Sequence, residues 1–285
     1  MYFFMLLVFV TGLAACSKTQ SNAQTQSNSN LNVTADYWQG QLNKALEPRQ
    51  APVGLDLAGV TIPEELAFGA GKQKSTLEAM KAQGTKVPMD FFDLAAMNLN
   101  KELVDLPAAA ENYVLDVDGT LTDKEFTRFS FQGGAAAPAA DSDSQKKMKE
   151  LADSFKLNLS TPNDRQQLRR RLMQMISPKG KTVLEEITAK YQAKFNRPLR
   201  ITSLVRSIDY SIDLNKVDAG SFLVKENGDL PPHCSGLAFD IAIKNLTAEE
   251  QNFLVGLLAE MDKNGRVDAV RETGPTGVFH VFVLA

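Results

Sequence analysis

The sequence predicts an α+β fold in which helices pack on an antiparallel sheet. Three observations predict it. Apolar patterns of helical period, with start and stop signals, fill much of the chain up to residue 104. Short β-rich runs then appear at 113–117, 199–206, 237–243, 267–271 and 278–284. The last two of these flank the short loop Thr273-Gly274-Pro275-Thr276-Gly277, as an antiparallel pair would.

Taken in order, residues 1–15 begin with an apolar run from Tyr2 to Val10, too short to span a bilayer comfortably, and end in Leu13-Ala14-Ala15 before Cys16. This reads as a secretory signal, although no Lys or Arg precedes the apolar stretch. The tetrapeptide Leu13-Ala14-Ala15-Cys16 resembles the lipobox of bacterial lipoproteins, which implies a lipidated Cys16 and a membrane held through that lipid anchor. With Ser17 next, the implied place is the cell envelope, on the outer membrane facing the periplasm. Residues 16–33 are rich in Ser, Asn, Gln and Thr and nearly uncharged, the composition of a flexible tether.

Residues 34–132 read as a mainly helical region ending in a hairpin. Helices are expected at 35–46, 74–83 and 91–104, punctuated by Pro48, Pro52, Pro63 and Pro88. The run from Tyr113 to Asp123 allows two readings. It resembles the first motif of haloacid-dehalogenase-type phosphatases, in which Asp116 would be the phosphoryl acceptor and Asp118 the general acid. It also reads as a hairpin, with Asp118-Gly119 as the turn and 120–131 as the returning strand. The chain then enters a small-residue stretch, 133–145, and not the long strand–helix alternation such a phosphatase needs.

Residues 146–285 form the last region. A helix over 165–176 starts behind Thr161-Pro162, Pro178-Lys179-Gly180 separates it from a helix over 183–195, and Pro198 precedes the strand 199–206. Thr247-Ala248-Glu249-Glu250 has the form of a capping box opening an amphipathic helix, with Phe253, Leu254, Leu257, Leu258 and Met261 at helical spacing. Asn264-Gly265 ends it.

A net charge of −3 and a pI near 5.6 argue against nucleic acid as a partner. Arg165, Arg169, Arg170 and Arg171 fall together, but along one face of an amphipathic helix. If Cys16 is lipidated, Cys234 has no partner within the chain, so no disulfide holds the fold. Cys234 reads as a small buried residue, with a fourth metal ligand as the alternative.

The chain has two histidines, and both lie in the last region. His233 precedes Asp240 by seven residues in His233-Cys234-Ser235-Gly236-Leu237-Ala238-Phe239-Asp240, and His280 sits within the apolar run Val278-Phe279-His280-Val281-Phe282-Val283. A catalytic zinc site commonly takes three ligands from imidazole and carboxylate and leaves one position open. His233, Asp240 and His280 supply such a set. On a strand, Ala238 and Asp240 share a face, with small residues on the approach.

The pattern His-x-x-Gly-x-Ala-x-Asp, followed by a strand with apolar-His-Val, resembles the superfamily of zinc D,D-carboxypeptidases and D-Ala-D-Ala dipeptidases, and in particular an uncharacterised bacterial family related to it. The superfamily shares its fold with the Hedgehog signalling domain and acts on peptidoglycan peptides. The likeness covers roughly residues 199–285. It implies Zn2+ held by His233, Asp240 and His280, and a role for Arg206, in Ser203-Leu204-Val205-Arg206-Ser207, in steadying substrate or a developing oxyanion.

The dipeptidase branch also carries a Glu three residues before the second His, where this chain has Gly277. The nearest acid is Glu272. An odd loop centred on Thr276 would place Glu272 opposite His280, whereas a two-residue Pro275-Thr276 turn would pair Arg271 with His280. The expected function is therefore a membrane-anchored zinc metallopeptidase acting on cell-wall peptides, with Glu272 as base. The alternatives are a non-catalytic metal- or cell-wall-binding lipoprotein and the phosphatase.

Overall fold

The computed structural model describes residues 33–47, 59–67, 71–117, 142–217, 224, 230–272 and 277–284. The signal segment, Cys16, the tether, Asp118, the expected hairpin turn and return strand, and most of the 133–145 stretch lie outside them. Among the described residues no helix is long and apolar enough to cross a membrane.

The elements are α1 (Ala35–Leu46), α2 (Glu64–Ala67), α3 (Gly71–Ala82), α4 (Phe91–Leu99), β1 (Val104–Asp105), β2 (Tyr113–Leu115), α5 (Asp143–Ser154), α6 (Pro162–Met173), β3 (Met175–Ile176), α7 (Pro178–Phe195), β4 (Leu199–Ser203), α8 (Ile208–Val217), β5 (Ala238–Ala242), α9 (Ala248–Lys263), β6 (Val267–Glu272) and β7 (Val278–Val283). The fold is α+β. Five strands form one sheet in the order β2-β4-β5-β7-β6, and β1 pairs with β3 separately. One part of the expected sheet needs correction: β2 runs parallel to β4, and only the remaining pairs are antiparallel.

The period of two along β5 and β7 assigns the two faces. Phe239, Ile241, Phe279 and Val281 point to one side, where they bury against Leu184 and Ile187 of α7 and Leu254 and Leu258 of α9. Each such aromatic contributes ~1.5–3 kcal/mol by leaving water. Ala238 and Phe282 point to the other side and pack with Leu77 of α3, Ile208 of α8 and Cys234. Asp240 and His280 share that second face.

Local chemistry explains where elements begin and end. The Thr247–Glu250 capping box forms as the sequence predicts. Pro178 does not separate two helices: it occupies the first turn of α7, behind the Ser177 cap that accepts from the Gly180 N–H. The expected helix over 91–104 stops at Leu99, because Lys101 takes a left-handed φ of 65° and the Asn98 amide bonds the Leu103 carbonyl. Residues 104–105 then pair with 175–176, which also shortens the helix expected at 165–176. Three helices were not foreseen, among them the single turn α2. α5 opens behind Ser142, inside the expected linker, and buries Met148, Leu151 and Ala152; α8 follows β4.

Arg197, at the corner between α7 and β4, is wholly buried. Its guanidinium donates to the carbonyls of Lys44, Ala45 and Glu47 at the end of α1, and to Asn245 O and Glu250. An N-terminal helix is thereby capped by a side chain of the C-terminal region.

Candidate metal centre

Asp240 stands opposite His280 in the β5–β7 register, and Ser203 stands opposite Asp240 in the β4–β5 register. A bulge in β4 between Ile201 and Ser203 sets this row. It inserts one residue, so Ile201 faces the α7/α9 core while Ser203 turns to the side of Asp240. The chain leaves β4 through Leu204 and Val205 to Arg206, whose Nη2 donates to Ser203 Oγ at 2.7 Å.

His233 reaches the same place from a short 3-10 turn, Pro232–Ser235, directly before β5. The turn closes at Gly236, with φ 70° and ψ 10° and its N–H bonded to His233 O. A Cβ there would meet Leu103 Cδ2 at 2.7 Å. Gly236→Ala is therefore expected to cost about 1–2 kcal/mol, from the left-handed backbone and the close contact together. Urea denaturation measures it.

His233, Asp240 and His280 are more than nine-tenths buried, and one ligand atom from each lies within 4.8 Å of the others. This group could hold a metal ion. His233 Nε2 lies 3.3 Å from Asp240 Oδ2, and His280 Nδ1 lies 2.8 Å from Asp240 Oδ1. The two imidazole planes meet edge to face, with centroids 5.1 Å apart.

The far side of each ring decides what the near side can be. His233 Nδ1 is 2.8 Å from Leu204 O, and His280 Nε2 is 3.0 Å from Gln73 Oε1. Both oxygens only accept, so both of those nitrogens carry the proton. In its neutral form each imidazole then has its lone pair on the other nitrogen, on the side of the Asp240 carboxylate, whereas a protonated His280 donates to that carboxylate at 2.8 Å. Two imidazole nitrogens and a carboxylate with outer carbonyl partners form a group that could hold a metal ion.

Burial lowers the pKa of His233, favouring the neutral ring. Burial opposes ionisation of both Asp240 and His280, but their hydrogen bond and mutual attraction outweigh it: His280 is raised, and Asp240, facing both rings in their protonated form, is held well below the usual carboxylate range.

The structure answers the register question differently from either sequence expectation. Glu272 pairs with Val278, and Val270 with His280, so the connection is odd but centred on Pro275. Glu272 and His280 thus share a face as diagonal neighbours, roughly 7–8 Å apart. The Glu272 side chain is exposed at the rim of the site. Its pKa is pushed up, first by desolvation and then by the charge of Asp240.

Arg206 is half-buried beside the cluster, and among the described residues no carboxylate pairs with it. Cys234 is fully buried and does not join the ligand group. Its Sγ lies 3.7 Å from Ser211 Oγ, and burial pushes the thiol up to about 12.

Asp116 accepts from Arg200 Nε at 2.8 Å and Nη2 at 2.6 Å, at the end of edge strand β2. That carboxylate is engaged as an ion-pair partner, and among the described residues β2 is an edge strand whose one sheet neighbour is β4.

Sequence reasoning missed Gln73. It comes from α3, some two hundred residues before His280, and a lone Gln in a polar helix carries no local signal. No family model matches this chain, and neither curated proteins nor solved structures provide a match.

Proposed function

We propose that this protein is a zinc-dependent hydrolase that cleaves an amide in cell-wall peptides, carried in the cell envelope by a lipid on Cys16. The observation that supports it most directly is the pair of outward-facing imidazole bonds to Leu204 O and Gln73 Oε1, which leaves two lone pairs and one carboxylate converging. The sequence pattern around His233, Asp240 and His280 supports the peptidase class and a Hedgehog/D,D-peptidase-like fold.

A bound zinc ion supplies an electrophile that polarises a scissile carbonyl and acidifies water. The chain's own residues supply the rest. Glu272, exposed at the rim, accepts the proton that the attacking water releases and returns it to the leaving nitrogen. Its raised pKa suits a group that must both take and give a proton. Arg206, which has no carboxylate partner among the described residues, brings a positive charge beside the cluster for the oxyanion that would develop there.

The test uses purified peptidoglycan fragments and measures release of amino acids or dipeptides. Glu272→Gln is expected to lower kcat about 10²–10⁴-fold while leaving zinc content unchanged. A second reading has one observation in its favour: Glu272 faces Val278 and not His280, as in a binding protein that holds metal without turnover. Stoichiometric zinc with no release from any fragment would select that reading. Zinc-free wild-type protein would overturn both.

A further inference from the structure

The N-terminal helices carry no His or Cys, yet one of them reaches the centre of the site. We propose that Gln73 of α3 is a positioning residue for His280, fixing which ring nitrogen is free for the metal. This rests on the metal reading of His233, Asp240 and His280.

The geometry is specific. His280 lies between two partners, with Asp240 Oδ1 2.8 Å from Nδ1 and Gln73 Oε1 3.0 Å from Nε2. Only 8% of Gln73 and 6% of His280 remain exposed, so bulk water does not substitute freely for the amide. A carbonyl oxygen at Nε2 holds the proton there and turns the ring so that Nδ1 faces Asp240. Leu204 O performs the same service for His233 from the chain's own neighbouring strand end. The site is thus completed by a residue from a separate segment of the chain.

The Gln73 side chain is not what holds α3 in place. Gln73 N–H donates to Asp268 Oδ2 at 2.6 Å, and Lys72 Nζ reaches both the carbonyl and the carboxylate of Asp262, at 2.7 and 2.6 Å. Leu77 adds apolar contact with Phe282 and Ala238 beneath the same face. Replacing the amide therefore leaves the docking contacts of the helix intact. Loss of the hydrogen bond should then register chiefly at the metal, with only the cost of one unpaired buried N–H in the fold.

The experiment measures zinc affinity of the full chain by competition with a chromogenic chelator, alongside the melting temperature of the metal-free protein. Gln73→Leu, which keeps the volume and removes the acceptor, is expected to weaken zinc binding about 10–100-fold, while the metal-free melting temperature falls by only the few degrees that one unpaired buried N–H costs. Gln73→Glu restores the acceptor and is expected to bind at least as tightly as wild type. In the zinc-loaded wild type, NMR should show a slowly exchanging Nε2 proton on His280, and Gln73→Leu should lose it.

Equal affinity in wild type and Gln73→Leu overturns the role of Gln73 and leaves the metal reading standing. A wild type that binds no zinc overturns both. If Gln73→Leu fails to fold, Gln73→Glu and the wild-type proton signal decide. Weaker binding in Gln73→Glu, or a fast-exchanging Nε2 proton, overturns the proposal.

Discussion

Asp240→Asn is expected to remove metal binding, and with it the part of the protein's stability that depends on metal. Asp240 is the one anion of the group and contacts both imidazoles, at 3.3 and 2.8 Å. The amide nearly conserves volume, so packing against Ala238 and the β4 row is kept while the charge is lost. Two neutral imidazoles remain. The loss of affinity should exceed the roughly 10–100-fold that removal of an outer partner costs.

A ligand held at about a thousand times its Kd stabilises a folded protein by about 4 kcal/mol. For a domain of this size that corresponds to roughly 8–16 °C of melting temperature. Wild type should gain a shift of that order on addition of zinc, and Asp240→Asn should gain none. Thermal denaturation with and without zinc, together with zinc content after dialysis, checks it. An undiminished shift in the variant would mean that zinc acts elsewhere on the chain.

Arg197→Met is expected to produce the largest loss of metal-independent stability, about 3–5 kcal/mol. Methionine replaces much of the stem, so the loss is chiefly polar. Glu250, itself 1% exposed, loses its cationic partner, and the carbonyls of Lys44, Ala45 and Glu47 lose their donor. Glu250 keeps the Tyr191 hydroxyl and the Thr247 N–H.

Adding Glu250→Gln removes the uncompensated charge while retaining an acceptor for Thr247. The double variant should therefore recover part of the loss in a urea titration. A double variant no more stable than Arg197→Met would assign the cost to the orphaned end of α1.

The two kinds of contact account for what could be read in advance. α1 and α9 were legible because their signals are local: Thr34 and Thr247 cap from the adjacent turn, and apolar residues recur at helical spacing. Asp240 was legible because strand alternation places it with Ala238, and His233 because its separation from Asp240 spans a single turn.

Glu272 was not, since its register depends on a loop whose length admits several centres, and each shift moves its carboxylate relative to His280. Gln73 and Arg197 were not, because their partners lie 207 and about 150 residues away and nothing in their own neighbourhoods announces them. The β4 bulge belongs with these, as alternation alone would have kept Ser203 on the side of Ile201.

The apolar underside of β5 and β7 has an electrical consequence. Phe239, Ile241, Phe279 and Val281, together with α7 and α9, form a low-polarity slab directly beneath Asp240 and His280. Field lines from any charge at the centre are expelled from that slab and leave toward the rim that carries the polar groups. A charge at the centre is therefore felt mainly on that rim, where, among the described residues, Glu272 and Arg206 are the charged side chains that act on His280.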